Sequence, residues 1–185
     1  MRVLFWCLLA GCAGGTTTAA PEATPAFGAG EQKIGSSEQF EFFRSTLAAR
    51  HPEDLPLCGS PARSPDSAII FRQLAMEDAP LAQRARAIDA LKCMDDPESA
   101  AFLLDTARDL SLPPLLRAAA IEAATQDTAI GEWRSLLLSA VSDEDPRVAL
   151  AAAKWVVALR DSEFLEQVRS QQLNSRVHEV LGVAK

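Results

Sequence analysis

From residue 64 onward, apolar positions return at intervals of three and four residues, and a proline marks the start of most runs. That interval is the repeat of an amphipathic helix, not of a strand. Ser64-Pro65, Ala79-Pro80, Asp96-Pro97, Pro113-Pro114 and Asp145-Pro146 each precede a helical stretch. Proline suits the first helical position, and Ser or Asp before it supplies an N-cap. The spacing predicts helices over 65–76, 80–93, 97–109, 114–125, 129–142, 146–160, 162–171 and 175–184. Upstream, SSEQFEFFRSTLAARH predicts a first helix over about 37–50, capped by Ser36 or Ser37, with Phe40, Phe43 and Leu47 on one face. The fifteen residues from His51 to Pro65, HPEDLPLCGSPARSP, hold four prolines and predict an irregular loop. Nowhere do Val, Ile, Thr and Tyr alternate as a half-buried strand requires, so the fold class is all-α.

The helical pattern also repeats on a longer scale. QRARAIDAL (Gln83 to Leu91), LRAAAIEAA (Leu116 to Ala124) and VALAAAKWV (Val148 to Val156) superpose at offsets of 33 and 32 residues. RVHEVLG near the end is a weaker copy, with Val177 at the Val148 position. Val148, Ala152, Trp155, Val156 and Leu159 form one apolar stripe, and Leu116, Ala120, Ala123 and Ala124 form another. Gln83 interrupts the first, as befits an end repeat. A period near 30 residues built from two helices signals stacked hairpins. Over roughly residues 80 to 185 the pattern resembles the HEAT-like repeats of bacterial proteins, where an Asp-Pro turn precedes a helix of the form Val-Arg-x-x-Ala-Ala-x-x-Leu. Arg84 and Arg117 stand at that family's Arg position; Ala149 and His178 depart from it. The resemblance implies a short α-solenoid of HEAT-like hairpins.

The N-terminal end has a different pattern. One basic residue, Arg2, precedes the apolar run VLFWCLLA, a secretory layout too short to span a bilayer. It ends Leu9-Ala10-Gly11-Cys12, which resembles the lipobox of bacterial lipoproteins: a large aliphatic residue, two small residues and Cys. The resemblance implies cleavage before Cys12 and a thioether-linked diacylglyceryl group on its thiol, with further acylation of the new amine. Two or three acyl chains suffice for stable anchoring. Ala13, in place of Asp, implies the outer membrane, on its periplasmic face. Sixteen of the nineteen residues from Ala13 to Glu31 are Ala, Gly, Thr or Pro, a disordered tether composition. As a coil it reaches about 25 Å. Four segments are therefore expected: a signal peptide (1–11), the lipidated Cys and flexible linker (12–35), N-terminal helices with the Pro-rich loop (36–79) and the repeat region (80–185).

Composition narrows the function. The formal charge of −7 argues against nucleic acid and anionic lipid heads as partners. Tyr is absent, which removes one class of stacking platform. Export would place Cys58 and Cys93 in an oxidising compartment, where they are expected to pair; closing that loop contributes about 3–4 kcal/mol in the chain-entropy model. Cys7 would leave with the leader. His51 and His178 lie far apart, and the sequence carries no HExxH, CxxC, nucleophile elbow or Gly-rich phosphate loop. Asp95-Asp96 and Asp143-Glu144-Asp145 lack EF-hand spacing and read as helix caps.

No catalytic residue, metal, cofactor or small-molecule substrate is expected from this pattern. The expected function is a membrane-anchored protein-binding or scaffold module whose partner is an envelope or periplasmic protein. Solenoids bind along the face lined by the second helix of each pair. Arg86, Asp89, Glu122 and Lys154 are the polar residues expected to contact a partner there. Two other readings compete. Some HEAT-like proteins attach or isomerise bilins, or hydroxylate peptidyl lysine using paired His-Glu motifs for iron; this chain has one such pair, His178-Glu179. A structural envelope assembly factor is the other.

Overall fold

The computed structural model describes residues 37–48, 64–124, 130–171 and 173–182. The expected signal peptide (1–11) and linker (12–35), with Cys12, and also His51 and Cys58, lie outside the described residues. Among the described residues the protein is all-helical, with nine α-helices: α1 (Ser37–Ala48), α2 (Pro65–Met76), α3 (Leu81–Ala90), α4 (Pro97–Arg108), α5 (Pro114–Ala123), α6 (Ile130–Ala140), α7 (Pro146–Ala158), α8 (Ser162–Arg169) and α9 (Ser175–Val180).

The helix starts follow from local chemistry. Ser64, Asp96, Asp145, Asp161 and Asn174 each accept a hydrogen bond from a backbone N–H of the first turn. Pro65, Pro97, Pro114 and Pro146 occupy the first helical position, where the missing N–H costs nothing. Pro80 departs from the expectation. It is itself the N-cap, and α3 starts one residue later, at Leu81. Ala79 has no side chain that could cap, so only the carbonyl of Pro80 opens the helix, accepting from Gln83 and Arg84 at 2.8 and 3.1 Å. The C-terminal end of the expected 80–93 helix tightens into a 3-10 turn, Leu91–Cys93. Cys93, in that turn, is half-buried and disulfide-bonded.

The helices pack in a regular order. The second helix of each pair packs on the next: α3 on α5, α5 on α7 and α7 on α9. The first helices pack on their own partners, α2 on α3, α4 on α5 and α6 on α7, and more lightly on each other. Helix α1 covers the end of this series, against α2 and α3, with Phe43 and Phe71 ring centroids 4.7 Å apart.

Packing on several sides explains the composition of α5 and α7. Ala149, Ala151, Ala152 and Ala153 are all buried, as are Ala118, Ala120 and Ala123. A helix apolar on most of its circumference belongs in a core. Alanine there lets neighbouring backbones approach. The predicted stripe residues Val148, Ala152, Trp155, Val156, Leu116, Ala120, Ala123 and Ala124 are buried, and Leu159 packs against the core.

Candidate interaction groove

Helices α3, α5 and α7 lie side by side, so equivalent positions of the three repeat copies form rows. Asp89, Glu122 and Lys154 make one row; Ala85, Ala118 and Leu150 make another. Together with Arg86, Leu115, Ala119 and Arg147 they line a groove of about 450 Å³. All four polar residues expected from the repeat register, Arg86, Asp89, Glu122 and Lys154, line this one groove. Its apolar wall consists of alanines and two leucines. Small side chains leave room for an incoming chain, and the leucines supply apolar area.

Each charged group at the groove has a partner. Lys154 Nζ stands 3.0 Å from Glu122 Oε1, bridging α7 and α5. Lys92 Nζ stands 2.9 Å from Asp89 Oδ2. Arg147 Nη2 stands 2.7 Å from Asp145 Oδ2. Arg86 differs, because its Nη1 donates to the carbonyl of Leu47 at 2.8 Å. Arg86 therefore binds the C-terminal end of α1 as well as lining the groove. Gln83 does the same from the buried stripe, donating to the carbonyl of Arg44 at 3.0 Å. Its amide finds an acceptor on α1, which is why a polar head is tolerated in the buried stripe. The pairs of Asp89 and Glu122 are solvent-exposed and worth about 0–1 kcal/mol each. A ligand carrying its own charges exchanges them at little cost.

The interhelical arginine contacts were not legible as a ladder at the repeat's Arg position. Arg84 Nε donates to the carbonyl of Ala75 at 2.8 Å, closing the end of α2. Arg117 Nη1 reaches Asp143 Oδ2 in the α6–α7 turn at 2.6 Å, and both side chains are largely buried. A second set joins the first helices. Arg72 pairs with Asp96 at 2.8 Å, Arg108 with Glu132 at 3.3 Å, and Arg134 with Asp161. Two of these carboxylates, Asp96 and Asp161, also cap the helix they start. A capping Asp followed 24 to 27 residues after an Arg was the available signal.

His178 sits half-buried near the end of α9. Its Nδ1 has no hydrogen-bond partner among the described residues. Among the described residues no three His, Cys, Asp or Glu side chains converge as metal ligands would. Among them too, no helix is long and apolar enough to cross a membrane. No protein-family model, curated protein or solved structure matches this chain.

Proposed function

We propose that the chain is a lipid-anchored envelope protein whose helical pairs form a short HEAT-like α-solenoid, and that its α3–α5–α7 groove binds a segment of another envelope protein. The observation that carries this reading is the convergence of Arg86, Asp89, Glu122 and Lys154 on one groove with an alanine and leucine wall. The order of packing supports the solenoid: each second helix lies on the next, at the 33- and 32-residue period of the sequence. An apolar channel with exchangeable ion pairs at its edge suits a peptide segment laid across the helices. The lipobox resemblance at Cys12 and the tether composition after it support the anchor.

A photo-crosslinking amino acid at Ala119, in the apolar wall of the groove, tests the binding reading in the intact envelope. One discrete protein adduct is expected, absent when the crosslinker stands at exposed Glu132. No adduct from Ala119 would remove the groove as the binding site. In parallel, Cys12→Ala is expected to move the protein from the membrane to the soluble fraction and to lose the lipid mass. A variant that stayed membrane-bound at unchanged mass would remove the anchor.

A further inference from the structure

A second surface lies where the α4–α5 turn meets the α6–α7 turn. The two turns read Asp-Leu-Ser-Leu-Pro (109–113) and Val-Ser-Asp-Glu-Asp (141–145), with four carboxylates and no lysine or arginine. Between them opens a cleft of about 620 Å³, lined by Leu110 on one turn, by Pro114 and Arg117 of α5, and by Ser142, Asp143, Glu144 and Asp145 on the other turn. A second cleft of about 440 Å³, between α4 and α6, shares Leu110, Arg117 and Asp143 with the first. Leu110 stands where the two clefts meet and is 80% exposed, more than any other large apolar side chain among the described residues.

The charges here are unevenly satisfied. Asp143 is held by Arg117 at 2.6 Å, and Asp145 by Arg147 at 2.7 Å. Asp109 accepts from the backbone N–H and hydroxyl of Ser111 at 2.9 and 2.6 Å, neutral donors that leave its charge uncompensated. Glu144 is exposed beside them. Arg108 and Arg117 of the clefts are paired with Glu132 and Asp143, so the surface combines a presented leucine, two clefts able to take side chains and the uncompensated carboxylates of Asp109 and Glu144 at the turn edge. Anionic lipid and nucleic acid are repelled by it. A second copy docking the same face would set the same carboxylates against each other.

We propose that this turn edge docks a cationic amphipathic segment of a partner protein, with Leu110 against its apolar face and Glu144 and Asp109 beside its lysines or arginines. The site is distinct from the α3–α5–α7 groove, and its occupancy does not depend on the groove being used.

The test uses a fluorescein-labelled synthetic helix of about 16 residues with Leu on one face and Lys on the other. Fluorescence anisotropy against the full chain reads its affinity. Binding is expected, weakening steeply between low salt and about 300 mM salt. A peptide with Glu for Lys, and one with Ser for Leu, are each expected to bind about tenfold more weakly or worse. Leu110→Ser and Glu144→Lys are each expected to weaken the Lys/Leu peptide about fivefold or more, and Ala119→Trp in the groove to leave it unchanged. Leu110 and Glu144 are both exposed, so these variants keep the fold, which circular dichroism checks. Three results overturn the proposal: no binding of the Lys/Leu peptide, equal binding of the Glu/Leu peptide, or binding indifferent to Leu110→Ser.

Discussion

Arg160 adopts a backbone conformation that suits glycine. It follows α7 with φ of 53°, the one positive φ of a non-glycine residue among those described. Its N–H donates to the carbonyl of Val157 at 3.2 Å, closing the helix. After α9 the same left-handed turn falls on Gly182, at φ of 67°. The Cβ of an L-residue crowds the carbonyl in this region, and glycine avoids that cost. Arg160→Gly is therefore expected to raise stability by about 0.5–1 kcal/mol in denaturant unfolding. A loss of stability would contradict the assignment. Two capping carboxylates set a second expectation at this scale. The Arg147 side chain bonded to Asp145 is the main reason its pKa falls from 3.8 to about 2, with the Arg147 N–H and nearby positive charge adding to this against partial burial. At Asp96 burial pushes the pKa up, but hydrogen bonds from the Ser99 side chain and backbone and from Arg72 together push it further down. For both, the folded state holds the charged form more strongly than the unfolded chain does. Their stabilisation is complete above the ordinary value of 3.8 and is lost as pH falls towards about 2 at Asp145. The melting temperature is expected to drop across that window. Asn at both positions still caps but does not titrate, so the double variant should show a shallower drop. An unchanged slope would mean that these caps do not govern acid sensitivity.

The helices themselves were largely legible, because each start is written within a few residues. Pro65, Pro97 and Pro146 with their Ser or Asp caps mark three starts to the residue. Pro80 shows the limit: a proline without a capping side chain before it does not say which residue begins the helix. The ties between helices were far less legible. The periodicity places Trp155 in an apolar stripe, yet its indole N–H donates to the carbonyl of Ala124 at 3.0 Å, joining α7 to the end of α5. Its ring also stacks on Trp133 of α6, with centroids 5.8 Å apart and planes inclined by 17°. Trp155→Phe keeps a ring but removes this donor from the buried carbonyl, so a loss of about 1–3 kcal/mol is expected in chemical denaturation. A change within about 0.5 kcal/mol would show that the hydrogen bond contributes little. The pairs of Arg72, Arg108 and Arg134 are hidden in the sequence for a related reason. They span 24 to 27 residues, whereas the repeat superposes at 33 and 32, so the periodicity does not point to them.

For the molecule as a whole, the Cys12→Ala and Ala119 experiments separate where the protein works from what it holds. Under the proposed anchoring at Cys12, a coil of the composition of residues 13–31 would let the helical body reach about 25 Å from the membrane. Cys12→Ala is thus expected, on that proposal, to change location without dissolving the groove. The turn-edge peptide experiment adds a second surface with its own charge requirement. Sequence alone determined the helix positions, most of their caps, the repeat register and the acidic balance. Each of these depends on residue type and on neighbours within a few positions, or on a sum over the chain. Only the tertiary structure decided that Arg86, Asp89, Glu122 and Lys154 line one groove, and that Arg86 is also bound to the end of α1. It alone placed Leu110 between two clefts, and set Asp143 against Arg117 while leaving Glu144 exposed. Those outcomes depend on which helices lie side by side. That is settled by packing between residues tens of positions apart, where the periodicity of one helix carries no information about its neighbour.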